Sequence, residues 1–153
     1  MASAPAIRPA RAGEAAVLAA IIDAAYRHYI PRIGKPPGPM SDDYAARIAA
    51  GQAWVLEDDG QAAGILVLED QPDALLLDNV AILPDRQGRG LGGLLIRFAQ
   101  TEARRRGHDL LRLYTHVLMT ENIALYKRFG FDENARIAEK GFDRVYMTKF
   151  LGP

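Results

Sequence analysis

A basic, glycine-dense turn is the part of this chain best suited to bind a charged ligand. It lies between an apolar segment and a segment of helical periodicity, within DNVAILPDRQGRGLGGLL at positions 78–95. Glycines leave backbone N–H groups unshielded, and a helix N-terminus adds partial positive charge. Phosphate groups are typical ligands of such a turn. Its candidate phosphate-binding residues are Gln87, Gly88, Arg89, Gly90, Leu91 and Gly92.

One interpretation of this turn is a dinucleotide site, because Gly88, Gly90 and Gly93 fit the pattern G-x-G-x-x-G. That pattern belongs at the first strand of a βαβ unit, with an acidic residue after the next strand to bind the ribose. Here hairpins precede the turn, and the next predicted strand ends in Thr115 and His116 with no carboxylate. A nicotinamide-dependent oxidoreductase is therefore the weaker alternative.

Hydrophobic periodicity and turn residues predict an α/β domain in which strands outnumber helices. The helix signals are the spacing of apolar residues, a Ser41 N-cap and the glycines that end the last three helices. Asp59 and Gly60 mark a hairpin, and the continuous apolar character of 74–83 predicts a central strand. Prolines in 31–40 predict an irregular connector, with the first helix ending before Pro31. The predicted strands are 7–9, 53–57, 62–69, 74–83, 109–115, 131–138 and 144–149; the predicted helices are 11–29, 41–51, 90–107 and 121–129.

Two segments of the chain resemble the GNAT superfamily of acyl-CoA-dependent N-acetyltransferases. The first is VAILPDRQGRGLG at 80–92, similar to the family's pyrophosphate-binding signature. The second is NIALYKRFGF at 122–131, similar to its second signature. The order and spacing of the predicted elements match as well. The resemblance implies one domain over 1–153 with a mixed, largely antiparallel sheet, splayed at the cofactor site, and helices on both faces.

The resemblance also implies how acetyl-CoA, the expected co-substrate, is held. The pyrophosphate would lie on the glycine turn, while backbone groups of Ile82 and Leu83 would pair with the pantetheine arm. Asn122 would be a further cofactor contact. Tyr126 matches the family tyrosine that protonates the departing CoA thiolate, as a general acid.

The catalytic base and the acceptor are less well defined. Many family members use a glutamate early in the central strand, where this chain has leucines at 75–77. Asp78 and His116, from the two strands expected to flank the thioester, are the candidate bases; Asn79 and Glu69 are further candidates. Tyr29 and Met40 are expected to line the acceptor site. A small-molecule amine and a protein or peptide amine both stay open as acceptors, and a non-catalytic acyl-CoA sensor is the other alternative.

Composition narrows the remaining possibilities. The chain has 153 residues, a formal net charge of zero and no cysteine, so it has no disulfide, thiolate metal site or cysteine nucleophile. Its three histidines lie far apart, and no metal is expected. Nothing in the charge balance suggests nucleic acid or a membrane surface as a partner. Without an apolar leader or a membrane-length apolar run, the expected location is the cytoplasm. Folds of this family often form homodimers.

Overall fold

The computed structural model describes residues 4–152 of the chain, so residues 1–3 and 153 of the predicted domain lie outside the described part. One seven-stranded sheet carries the fold, with strand order β1-β2-β3-β4-β5-β7-β6. The strands are β1 (Ala6–Pro9), β2 (Ala53–Asp58), β3 (Gln61–Asp70), β4 (Leu75–Ile82), β5 (Leu110–His116), β6 (Asp132–Glu139) and β7 (Phe142–Phe150). The α-helices are α1 (Ala15–Tyr26), α2 (Ile30–Ile33), α3 (Tyr44–Ala49), α4 (Leu91–Arg105) and α5 (Thr120–Arg128).

The sheet is antiparallel except where β4 lies parallel to β5, across the α4 crossover. Asp59 and Gly60 take positive φ angles of 55° and 76° at the β2–β3 hairpin, as its sequence predicts. The predicted antiparallel meander and the central position of β4 are confirmed. Among the described helices, none is both long and apolar enough to cross a membrane.

Helices cover both faces of the sheet because β3 and β4 are apolar on both sides. On one face, side chains of α1 such as Leu18 and Ile22 pack with Val55, Ile65 and Val67 of the sheet. On the other face, α4 and α5 pack against alternate residues of the same strands. Buried members of that second cluster include Leu66, Leu68, Leu75, Leu77, Leu95, Ile96, Ile123 and Tyr126.

The two parallel strands separate soon after they pair. Leu75 pairs with Leu111 and Leu76 with Arg112, and the β4–β5 pairing stops there. From that point β4 continues to Ile82 with β3 as its partner, while β5 continues to His116 with β7. The predicted splay of the sheet is thus present, and it opens a gap beside the second half of β4.

The segment that joins the first helix to the second strand differs from its prediction. Helix α1 ends at Tyr26, yet a 3₁₀ turn and α2 keep the chain helical to Ile33. Pro31 falls in the first turn of α2, where its missing N–H has no intrahelical partner to lose. Helix α3 is capped by Asp43, whose carboxylate accepts from the Ala46 N–H at 3.1 Å, so the predicted Ser41 cap is wrong.

Candidate active site

The glycine turn leads directly into α4 and leaves its first N–H groups free. Gly88 and Gly90 have φ angles of 80° and 81°, a left-handed conformation that glycine adopts without a steric penalty. Gly90 is the N-cap residue, so the N–H groups of Leu91, Gly92 and Gly93 have no carbonyl of the helix to bind. These donors border a cavity of about 370 Å³, which we call the donor cavity. Its lining includes Ile82, Gln87, Gly88, Gly90, Leu91, Gly92, Asn122 and Arg128.

Both arginines of the turn pair with Asp58, and of the two only Arg86 lines the donor cavity. Arg86 donates to the Asp58 carboxylate at 2.9 Å and to the Asp58 carbonyl at 3.0 Å. Arg89 forms an ion pair with the same carboxylate and does not line the donor cavity. The cation at this end of the cavity that sequence reasoning missed is Arg128, on α5. Only the packing of α5 beside α4 brings Arg128 there, so no local motif signals it.

Strand parity decides which backbone groups of β4 face the gap. The Leu83 N–H donates to the Ala63 carbonyl at 2.9 Å, so Leu83 faces β3. Because successive residues of a strand alternate in the direction of their hydrogen bonds, Ile82 and Val80 face the gap. The prediction of Leu83 as a backbone contact is therefore corrected to Val80, while Ile82 keeps its predicted position.

A second cavity of about 240 Å³ lies on the other side of the gap; we call it the acceptor cavity. Segment 37–42, β4, β5 and α5 bound it, together with Phe142 and Arg144 of the last strand. Three residues line both cavities, namely Tyr26, Val80 and Asn122. The two cavities therefore meet at the place where β4 and β5 have separated.

Tyr126 lies close to this meeting point. It lines the acceptor cavity and is 6% exposed, with its ring edge-on to Phe131 at 5.8 Å between centroids. No other group among residues 4–152 hydrogen-bonds its hydroxyl. Burial raises the pKa of this phenol, so the hydroxyl keeps its proton at neutral pH. A buried tyrosine oxygen that faces a cavity is suited to donate to a ligand.

Asp78 lines the acceptor cavity, and two hydrogen bonds fix the position of its carboxylate. It accepts from Arg47 of α3 at 3.1 Å and from the Tyr114 hydroxyl, also at 3.1 Å. Burial raises the pKa of Asp78, and the neighbouring Arg47 only partly offsets this effect. A carboxylate with a raised pKa accepts a proton more readily near neutral pH. Burial likewise raises the pKa of Tyr114, to about 12.

His116 lines the same cavity, at the end of β5. Its Nδ1 lies 3.1 Å from the Leu118 N–H and accepts from it, so in the neutral ring Nε2 carries the hydrogen. Burial lowers the pKa of this histidine. With Nδ1 occupied and Nε2 protonated, the neutral ring offers no free lone pair to a substrate. Asp78 is the better placed of the two candidate bases.

Asn79 and Glu69, the further candidate bases, form structural contacts instead. Asn79 is 4% exposed; its Oδ1 accepts from the Tyr26 hydroxyl at 2.8 Å and its amide donates to the Tyr44 hydroxyl at 3.2 Å. Glu69 does not line the acceptor cavity and lies 3.7 Å from Arg47. Buried polar side chains of this kind hold helices on a sheet when every group has a partner.

The two predicted acceptor contacts lie elsewhere. Tyr29 lines the donor cavity, where its hydroxyl donates to Glu121 at 2.9 Å. Met40 lines neither cavity; its side chain packs against the apolar cluster beneath α1. The connector 31–40 does line the acceptor cavity, through Pro37, Gly38 and Pro39, and Ser41 and Asp42, which follow it, line the cavity too.

This fold and site define the class of protein. Residues 49–133, more than half of the chain, match the family model described as an acetyltransferase (GNAT) domain. The chain belongs to the GNAT acetyltransferase family. We therefore interpret three features by comparison with that family: the splayed sheet, the glycine turn at the start of α4 and Tyr126 on α5.

Individual relatives extend the comparison. The [ribosomal protein bS18]-alanine N-acetyltransferase of Escherichia coli K12 is 33% identical over 78 residues, which are 51% of this chain and 53% of that protein. The chain spans about half the length of the curated relatives it matches. PaiA N-acetyltransferase from Thermoplasma acidophilum, solved with coenzyme A, superposes with a TM-score of 0.80 at 16% identity, over 97% of this chain and 99% of that one. A GNAT family acetyltransferase from Elizabethkingia anophelis with acetyl-CoA bound gives 0.74 at 19% identity, over 96% and 98%.

Proposed function

We propose that this protein transfers an acetyl group from acetyl-CoA to a primary amine by direct attack of the amine on the thioester. The observation that carries the proposal is the meeting of two cavities at the gap between β4 and β5. A two-substrate reaction without a covalent enzyme intermediate needs such a junction, because both substrates must be bound together with their reacting atoms adjacent.

The donor cavity suits the pyrophosphate and pantetheine parts of coenzyme A. The free N–H groups at the start of α4 suit the pyrophosphate, and Arg128 adds a positive charge at the same cavity. The N–H groups of Val80 and Ile82 face the gap and have no partner in β5, so they suit the carbonyl groups of a pantetheine arm by strand addition. Their own carbonyls already accept from the Tyr26 hydroxyl at 3.2 Å and from the Gln87 amide at 3.0 Å. Relatives of this fold have been solved with coenzyme A and with acetyl-CoA. Bound acetyl-CoA supplies a thioester whose C–S bond breaks as the new C–N bond forms.

Asp78 takes the role of proton acceptor. An amine is mostly protonated at neutral pH and must lose a proton before it attacks a carbonyl. The Asp78 carboxylate lies in the acceptor cavity, and burial raises its pKa, so the proton passes to it. Arg47 and Tyr114 hold the carboxylate in place. This arrangement supplies a base although leucines occupy the positions of the usual strand glutamate.

Tyr126 takes the role of proton donor to the leaving sulfur. Its hydroxyl lacks a partner within the described chain and is kept protonated by burial. When the C–S bond breaks, the phenol proton neutralises the CoA thiolate. The nitrogen loses its second proton to solvent as the amide forms, and the tyrosine is reprotonated from solvent. The overall reaction converts an ammonium and a thioester into an amide, a thiol and one released proton.

Two measurements test the proposal. Calorimetry with acetyl-CoA and, separately, with NADH tests the donor site: we expect binding of acetyl-CoA only, and its absence would overturn the proposal. Thiol release in the presence of a panel of amines, with mass spectrometry of the products, then tests transfer. Binding without thiol release on any amine would point to an acyl-CoA sensor instead.

A further inference from the structure

The acceptor cavity has an uneven distribution of charge. Arg47 lies against three carboxylates: Asp42 at 3.0 Å, Asp78 at 3.1 Å and Glu69 at 3.7 Å. Three carboxylates outnumber the one guanidinium, so this group carries an excess of negative charge. Asp42 and Asp78 both line the cavity.

The other cations around the cavity each have a carboxylate nearby that offsets them. Arg144 also lines the cavity, but Glu139 lies 3.1 Å from that guanidinium. Lys35 and Arg144 lower the pKa of His116, and Asp143 raises it. His116 itself is neutral at neutral pH, since burial lowers its pKa. The net field in the acceptor cavity is therefore negative and favours a cationic ligand.

The walls of the cavity also suit a small cation. Tyr26, Tyr114, Tyr126 and Phe142 line it, and aromatic rings attract alkylammonium groups. Lys35 donates to the Gly141 carbonyl and lies 4.2 Å above the Phe142 ring, so it links segment 35–42 to the β6–β7 hairpin at the cavity wall. A cavity of about 240 Å³ with such walls has room for a slender alkyl chain.

We propose that the acceptor is a small alkyl diamine or polyamine whose second ammonium group binds Asp42. The inference rests on the proposed acetyl transfer and adds the class of acceptor. Asp78 receives the proton of the attacking amine, and the unpartnered hydroxyl of Tyr126, a residue that is 6% exposed, marks the reacting end of the cavity. Asp42 is the second carboxylate of the cavity lining. Its oxygens accept from the Asp43 N–H at 2.8 Å and from Arg47 at 3.0 Å, which leaves lone pairs for an ammonium.

Three amines of equal chain length test the effect of the group at the end far from the reacting amine. Cadaverine, pentylamine and δ-aminovaleric acid share a five-carbon chain with a primary amine at one end. The other end is a second primary amine, protonated at neutral pH, in cadaverine, a methyl group in pentylamine and a carboxylate in δ-aminovaleric acid. Thiol release measured with saturating acetyl-CoA should give a kcat/KM for cadaverine about tenfold above that for pentylamine. δ-Aminovaleric acid should be the poorest of the three. Equal values for cadaverine and pentylamine, or a preference for the amino acid through Arg144, would overturn the proposal.

Asp42→Asn tests the assigned carboxylate. The ratio of kcat/KM for cadaverine to that for pentylamine should fall about tenfold, mainly through the KM for cadaverine. Glu69→Gln is the matched control, because it removes another carboxylate from Arg47 without changing the cavity lining, and this ratio should change far less. An equal loss in both variants would show that only the summed charge matters and would overturn the role of Asp42.

The proposed function and the acceptor class fail in different ways. Failure of acetyl-CoA to bind would overturn the transfer reaction itself. Acetyl-CoA binding with thiol release on other amines but not on cadaverine would leave the transfer reaction standing and overturn the acceptor class. If no amine supports thiol release, calorimetry of cadaverine against the acetyl-CoA complex decides, and absence of binding there overturns the class as well.

Discussion

Two buried tyrosines on opposite sides of the reacting junction allow a sharp test of the mechanism. Tyr126 and Tyr26 are each 6% exposed, and both line the acceptor cavity. The Tyr126 hydroxyl has no protein partner within the described residues. The Tyr26 hydroxyl donates to Asn79 at 2.8 Å and to the Val80 carbonyl at 3.2 Å. The same change to phenylalanine should therefore have opposite consequences.

Tyr126→Phe removes a hydroxyl that no protein group uses and keeps the ring on Phe131. The free energy of unfolding should change by less than about 0.5 kcal/mol, as for a substitution that breaks no internal bond. Turnover should fall about 100-fold, the lower end for loss of a general acid. Tyr26→Phe instead leaves the Asn79 oxygen buried without its donor, at a cost of about 1–3 kcal/mol. For a chain of this size each kcal/mol lowers Tm by about 2–4 °C.

Thermal unfolding without ligand, calorimetry with acetyl-CoA and steady-state thiol release measure the three quantities on both variants. For Tyr126→Phe we expect an unchanged Tm, an unchanged Kd for acetyl-CoA and a lower kcat. For Tyr26→Phe we expect a lower Tm. An unchanged kcat in Tyr126→Phe would refute the acid role, and a large fall in its Tm would show that the hydroxyl is structural.

Three further outcomes follow from the same geometry. Asp78→Asn should lower kcat at least about 100-fold. It should also remove the fall in rate at low pH, because that fall occurs where a carboxylate of raised pKa becomes protonated. A pH–rate profile of both proteins measures this. Gly92→Ala should leave the fold intact, since an added Cβ lies 3.9 Å from Leu125 and alanine favours a helix. Calorimetry should nevertheless show weaker acetyl-CoA binding, because the methyl group enters the donor cavity. Arg128→Ala should weaken acetyl-CoA binding about tenfold at low salt and less at high salt, and the same affinity in both variants and wild type would refute the position of the pyrophosphate.

The motif predicted the glycine at position 90 correctly, but the physical reason expected for that glycine was incomplete. At the sequence level its missing Cβ was expected to admit the ligand. In the structure Gly90 has a φ of 81° and open space around the position of a Cβ, so the backbone conformation itself requires glycine. Gly92 is the position where a side chain would crowd the cavity. The motif located the turn correctly, and the dihedral angles separate the roles of its glycines.

The amino-acid sequence by itself determined the class of fold, the family and the location of the glycine turn before α4. These conclusions depend on local information: hydrophobic period, turn residues, helix caps and the spacing within two short motifs. The order of strands 2, 3 and 4 also followed from sequence, because hairpin turns join neighbours along the chain.

Only the tertiary structure decided which groups meet at the junction. The alternation of backbone hydrogen bonds along β4 directs the backbone groups of Val80 to the gap and those of Leu83 to β3. Long-range packing placed Arg47 of α3 against Asp78, 31 residues later in the chain. Asp58 likewise draws Arg89 away from the donor cavity. Such contacts depend on where distant elements pack, and neither the period nor the composition of a local segment encodes that.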